Sequence, residues 1–218
     1  MVWLHLSGGD SYSSWKNICK VKESIKNDYV NAVWTDNAQG YSIRRGYDLL
    51  RTSQPAKNWA SIVGNNWNIP KHSIITWITM NGGLNVKEKL FKFGCCIDDL
   101  CCLCNKATET SDHLFLYCEY SCRVRNAVEC WTGRALPIVS VLLNGNRKTV
   151  QWKVLAVILN VVYYNIRMQR NNARVNELIT RPEFVAKQIE TEVKRRIKFK
   201  AWQNINHLAI GWMRNLEV

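Results

Sequence analysis

The feature that most constrains this chain is the run from Cys101 to Cys118, in which Cys101, Cys104, His113 and Cys118 stand at the spacing C-x2-C-x8-H-x4-C. A Cys-x2-Cys turn brings two thiolates together on one tight loop. A His and a Cys a short way downstream, at a helix start, can then close a tetrahedron around a soft divalent ion. The donor set predicts Zn²⁺. Four protein ligands leave no open position, so the predicted metal is structural and not catalytic. Cys102 could replace Cys101 only by shortening the turn to one intervening residue, and Cys122 lies one helical turn beyond Cys118, so both are read as bystanders.

Nine cysteines in 218 residues, with no recognisable export signal, predict a reducing intracellular compartment, nuclear or cytoplasmic. In that setting Cys19, Cys95, Cys96, Cys102, Cys122 and Cys130 are expected as small buried apolar residues. His5, His72 and His207 carry no motif that would bring them to a thiol, so no cysteine nucleophile is implied and no catalytic residue is expected. The longest apolar run, Val154 to Tyr164, is interrupted by Asn160 and falls well below the ~20 residues needed to span a bilayer, so no membrane partner is expected. Nor is a small-molecule substrate. A hydrophobic fraction of 47% is enough for one globular domain or two small ones.

The formal net charge is +13, and its placement is more informative than its size. Met1 to Leu100 holds 12 basic against 8 acidic residues, Cys101 to Asn146 holds 4 against 4, and Arg147 to Val218 holds 14 against 5. The metal-bearing segment is thus neutral before a metal is counted, and the excess lies in the last third.

Periodicity predicts a mainly α fold. A small β-hairpin is expected from Val33-Trp34, a turn over Thr35 to Gly40, and Tyr41-Ser42-Ile43, followed by a helix over Arg44 to Arg51. Trp59, Ile62 and Val63 sit at helical spacing, Pro70 opens a helix to Met80, and Asn81-Gly82-Gly83 ends it. Asn85 with Glu88 reads as a capping box for Val86 to Phe93, with Gly94 as its C-cap. Beyond the metal segment a helix from Glu119 to Trp131 should stop at Gly133. A linker containing Pro137 follows, then a long helix over Arg147 to Asn172 whose middle is apolar nearly all round and therefore central to the core. Thr180 and Glu183 form another capping box before a last helix carrying the stripe Val185, Ile189, Val193, Ile197, Ala201 and Ile205. The expected organisation is an N-terminal extension at 1–32, a zinc-knuckle-like Cys3His element inside a helical domain at 33–131, a linker at 132–146 and a basic two-helix region at 147–218.

On the last helix Lys187, Lys194, Arg195, Arg196, Lys198 and Lys200 crowd the polar side, with Phe199 and Trp202 interleaved; Arg167 and Arg170 add to the basic set from the preceding helix. Cations beside aromatic rings suit phosphate contact with base stacking, so RNA or single-stranded DNA is the expected partner. The alternative is a solvated helix face with Glu190/Lys194 and Glu192/Arg196 paired at i,i+4. A second reading makes the chain a protein-interaction module, with Trp3, Trp15, Trp202 and Trp212 forming a docking surface.

These landmarks together resemble the zinc-binding domain downstream of reverse transcriptase in plant LINE-type (non-LTR) retrotransposons. The matching parts, in order, are Gln39-Gly40-Tyr41-Ser42-Ile43 with Tyr47-Asp48-Leu49-Leu50, then Trp67, Pro70-Lys71-His72-Ser73, Trp77 and Leu84, and then Cys101-Cys102-Leu103-Cys104 with Glu109-Thr110-Ser111-Asp112-His113-Leu114-Phe115-Leu116-Tyr117-Cys118. The resemblance spans about Asp36 to Trp131. Ile166 to Asn171 is similar to the tail that leads toward the family's RNase H-like region. The chain departs from the family at Gly83, where Arg is usual, and at Val86, where Thr is usual. The resemblance implies a helical module that assists a reverse transcriptase, holding template or target, or one adopted by a host with a host protein as partner. No Y/F-x-D-D element for paired Mg²⁺ ions is found, and Asp98-Asp99 reads as a polar turn.

Overall fold

A computed structural model describes residues 57–136 and 145–204, with side chains to residue 200, and the backbone of a few residues before them, including 35–36 and 40–41. The chain divides into two compact units, Met1–Ala56 and Lys57–Val218.

In the first unit a two-residue antiparallel pairing joins β1 (Thr35–Asp36) to β2 (Gly40–Tyr41), with Thr35 opposite Tyr41 and Asp36 opposite Gly40. The longer expected hairpin is not supported. The pairing uses Thr35, Asp36 and Gly40, which were expected in the turn, and the outer residues of the expected strands lie outside the described set, as does the helix expected over Arg44 to Arg51.

The second unit is helical. It contains α1 (Ala60–Val63), α2 (Pro70–Met80), α3 (Lys87–Lys92), a π-helical turn (His113–Tyr117), α4 (Glu119–Thr132), α5 (Val150–Asn176) and α6 (Pro182–Asn204). Pro70 occupies the first position of α2, where its missing N–H is harmless. Gly133 ends α4 with φ 61°, and Gly94 follows α3 with φ 69°, left-handed positions that a Cβ would strain. Thr149 caps α5, its side-chain oxygen accepting the Trp152 N–H, and α5 runs four residues beyond its expected end to a left-handed Glu177 with φ 55°.

Helix α5 is the centre of the core, as its all-round apolar middle predicts. Val154, Ala156, Val157, Ile158, Val161, Val162 and Ile166 are fully buried, and α1, α2, α6 and the π turn all pack on it. Val185, Ile189, Val193 and Ile197 bury their four-residue stripe from α6 against α4 and α5. Asn160, the polar interruption in the apolar run, donates to the Ala156 carbonyl at 2.7 Å, while its buried Oδ1 has no hydrogen-bond partner among the described residues. No helix among the described residues is long and apolar enough to cross a membrane.

Two local expectations are corrected. Asn85 does not cap α3. Val86 is the N-cap and makes no side-chain cap bond, while the Lys87 N–H donates 2.9 Å to the carboxylate of Glu109, far along the chain. The bystander cysteines are not core residues either. Cys95 and Cys130 are exposed, Cys96, Cys102 and Cys122 are half-buried, and Cys19 lies outside the described residues.

Candidate metal centre

Cys101 and Cys104 stand on a tight turn. The Cys101 N–H donates to the Ala107 carbonyl at 2.8 Å, the Asn105 N–H donates to the Cys101 carbonyl at 2.8 Å, and Asn105 takes φ 53° to close the loop. His113 opens the π turn, its N–H donating 2.9 Å to Thr110 Oγ1. Cys118 sits at the junction between that turn and α4, in extended geometry with ψ 128°. The turn is held by its neighbours: Leu114 and Phe115 are fully buried, and the Phe115 ring stacks on Tyr163 of α5 at 4.4 Å and 8°. Core packing therefore fixes the two ligands on either side of this apolar plug.

The ligand atoms of Cys101, Cys104, His113 and Cys118 all lie within 4.8 Å of one another. The Cys101 and Cys118 sulfurs are 3.8 Å apart, and Cys104 Sγ is 3.3 Å from His113 Nε2. With Zn–S near 2.3 Å and Zn–N near 2.0–2.1 Å, a tetrahedron places two sulfurs ~3.8 Å apart and a sulfur and a nitrogen ~3.5 Å apart. The two close pairs fit that geometry, and the four side chains form a group that could hold a metal ion.

The electrostatics favour the thiolate at Cys118 and the thiol at Cys101. Cys118 is pulled down to about 5 by the hydrogen bond from Cys101, against burial, with help from the Ser121 and Tyr120 N–H groups at the start of α4. Cys101 is pushed up by its hydrogen bond to Cys118 and by burial, while the N–H groups of Leu103 and Cys104 pull the other way. Cys101 and Cys118 thus share one proton, which a divalent ion would displace.

Residues 41–124 match the family described as zinc-binding in reverse transcriptase. This segment is similar to a reverse transcriptase zinc-binding domain. A relative from Arabidopsis thaliana, named as an uncharacterized mitochondrial protein, is 36% identical over 74 residues, which cover 33% of this chain and 52% of the relative. The chain thus spans about half the length of the curated relative it matches. No solved structure matches.

Glu109, four residues before His113, organises the matched segment from inside. Glu109 is fully buried, and its carboxylate accepts from the Lys87 N–H at 2.9 Å, the Cys102 N–H at 3.2 Å, Arg170 Nε at 2.9 Å and Arg170 Nη2 at 2.6 Å. Arg170 Nη2 also donates to the Asn85 carbonyl at 2.9 Å. One carboxylate therefore caps α3, holds the residue next to the ligand Cys101, and neutralises a guanidinium from α5, which lies beyond the matched segment. The signal available in sequence is an acidic residue ahead of the His in a segment that also supplies thiolates. Its partner, 61 residues away, has no sequence signature.

The structure sorts the expected nucleic-acid residues into three groups. Arg170 is buried in that ion pair, so it is corrected to a structural role. Arg196 is likewise committed: Nε donates 2.7 Å to the Trp67 carbonyl and Nη2 2.5 Å to the Asn68 carbonyl, tying α6 to the turn before α2. Of the two pairs of the alternative reading, Glu192/Arg196 does not form, since Glu192 accepts from Asn165 Nδ2 at 3.0 Å and faces Lys71 and His72. Lys187 and Lys194 both pair with Glu190, at 3.0 and 2.9 Å. Arg195 and Lys198 remain exposed near the C-terminal end of α6, and Arg167 and Lys200 are half-buried. Phe199 is 49% exposed, with Arg196 and Lys200 over its ring at 5.6 and 5.8 Å. Trp202 lies beyond the last described side chain, and the side chains of Trp3, Trp15 and Trp212 lie outside the described residues too.

Proposed function

We propose that the chain is a zinc-stabilised, non-catalytic nucleic-acid-binding module of retroelement origin, with Zn²⁺ held by Cys101, Cys104, His113 and Cys118. The observation that carries the zinc assignment is the closed Cys3His group, with all ligand atoms within 4.8 Å of one another. Three thiolates and an imidazole suit a soft tetrahedral ion, and a closed shell offers no position for substrate or activated water. Elemental analysis of the purified protein, expected to give one zinc per chain, tests it. A chain that folds to the same melting temperature with its zinc stripped overturns the structural role.

Nucleic-acid binding rests on the excess of positive charge after Arg147 and on the exposed cluster Arg195, Lys198 and Phe199, with Lys200 beside it. These are cations flanking an aromatic ring, the chemistry that tracks a phosphate backbone and stacks bases. A titration with labelled single strands of RNA and DNA at two salt concentrations tests the reading. Salt-sensitive binding supports it, and no binding at low salt overturns it.

A second reading, a protein-interaction module, draws on exposed apolar side chains around α2 and α3: Trp77 at 52%, Phe93 at 78% and Ile97 at 96%. Intracellular placement, and association with a reverse transcriptase or a host protein, belong to the same proposal.

A further inference from the structure

The face of the metal knuckle is not the bare, neutral surface its composition suggests. A groove of about 330 Å³ opens beside it, lined by Leu103 and Cys104 of the knuckle, Tyr120 and Arg123 of α4, and Ile179 and Arg181 of the segment joining α5 to α6. One wall is fixed by the Tyr120 hydroxyl, which donates 2.7 Å to the Thr180 carbonyl. Among the described residues the one carboxylate lining it, Glu119, is already neutralised: Lys106 pairs with it at 2.7 Å and Arg123 at 3.3 Å. Arg181 is exposed and makes no ion pair among the described residues. Arg123 and Arg181 against Glu119 leave the groove's lining one positive charge in excess, and Lys106, which reaches Glu119 from outside the lining, raises this to two, against the single negative charge that three thiolates and one Zn²⁺ would add.

Ile179, 46% exposed, also borders a second groove of about 400 Å³ on the other side of the knuckle turn, where Asn105 and Cys102 meet Arg174. Arg174 is exposed and, among the described residues, is without an ion pair, while Lys87 in the same groove is spent on Asp98 at 2.5 Å, and Glu177 in the lining brings the groove to no net charge. The knuckle is thus flanked by two grooves that share an apolar ridge, each with an uncommitted guanidinium.

We infer that a single-stranded nucleic acid crosses the face of the knuckle, with phosphates on Arg181 and Arg123 and one unstacked base against Leu103 and Ile179. This rests on the nucleic-acid reading above and relocates the contact from the end of α6 to the metal centre. The chemistry recognised is a phosphodiester beside a splayed base, which RNA and single-stranded DNA share; a groove of this size admits one base and not a duplex.

The test is fluorescence anisotropy on the zinc-loaded chain with a 12-mer of uridine, a 12-mer of thymidine and a 12-base-pair duplex, across a salt series. The variants are Arg123→Gln/Arg181→Gln, Ile179→Ser, and Arg195→Gln/Lys198→Gln as the comparison from α6. Bound zinc and circular dichroism are measured on each, and unchanged values assign a loss of binding to lost contacts. The expected result is single strands preferred over duplex, with the Arg123/Arg181 pair weakening them about tenfold and flattening the logarithmic salt slope by about 1.4, two contacts at ~0.7 each. Ile179→Ser should weaken binding several-fold with the slope unchanged. The uridine and thymidine arms decide between RNA and DNA. If the unmodified chain binds single strands but the groove variants bind as it does, or if it prefers the duplex, the inference is overturned while the nucleic-acid reading stands. If the unmodified chain binds none of the three, both fall.

Discussion

Replacing Arg170 by Met removes the guanidinium but keeps a stem of similar length inside the bundle. The Glu109 carboxylate, fully buried, then loses two of its four hydrogen bonds and its only ion-pair partner among the described residues, and the Asn85 carbonyl loses a donor. Removing one partner of a buried pair typically costs about 3–5 kcal/mol, because the remaining charge has neither water nor a partner. Set against a domain stability of about 5–15 kcal/mol, that is a large fraction. Urea denaturation of the metal-loaded protein should therefore show a midpoint lowered at unchanged slope. The metal should feel it too, since the same carboxylate holds the Cys102 N–H beside the ligand Cys101; competition with a chromophoric chelator is expected to show affinity down by about tenfold. Glu109→Met/Arg170→Met should recover only part of the loss, because the Lys87 and Cys102 N–H groups would then lack an acceptor, at about 1–3 kcal/mol each if no water reaches them. A cost below about 1 kcal/mol for Arg170→Met, with metal affinity unchanged, would refute the argument that this pair joins the metal loop to α5.

Stripping the metal with a chelator, or changing Cys104 to Ser, should lower the melting temperature and reduce helix content around the π turn and α4, since structural zinc contributes about 10–16 kcal/mol of apparent binding energy in small metal-folded domains; an unmoved melting curve removes the structural role. Acid should destabilise the fold through His72. Its ring is fully buried, without a hydrogen-bond partner among the described residues, and lies 4.2 Å from the Tyr164 ring at a tilt of 31°. Burial lowers its pKa from 6.5 to about 4, overcoming the opposing pull of Glu192 at 3.8 Å, with Lys71 lowering it further. The folded value lies below the unfolded one, so this contribution is complete above pH 6.5 and is lost as the pH falls from there through about 4. The shift corresponds to roughly 3 kcal/mol in all. His72→Phe should flatten the stability profile across that window, and a profile with the same slope in the variant assigns the acid sensitivity elsewhere.

How far the sequence reached can be followed residue by residue. The candidate metal ligands were legible because all four lie within eighteen residues of chain, where spacing dictates proximity and the chemistry of sulfur and imidazole is specific. Helix α5 and the buried stripe of α6 were legible for a similar reason, periodicity being a local property that a core then reads. Capping was less so. Asn85 is placed for a capping box, yet a fully buried carboxylate from the metal loop supplies the acceptor, and no local rule anticipates an acceptor 22 residues away.

Charge was the least legible quantity. A sequence counts cations, but tertiary contacts decide which remain available: Arg170 and Arg196 look like surface cations and are spent on a buried carboxylate and on backbone carbonyls. Arg181, in a segment without periodicity, is placed by the turn between α5 and α6 beside the knuckle. The sequence by itself determined the candidate metal-binding set and the helical core, because each is written in short-range spacing. Only the tertiary structure decided which charges hold the fold together and which face solvent, because a guanidinium's partner is set by packing across the whole chain.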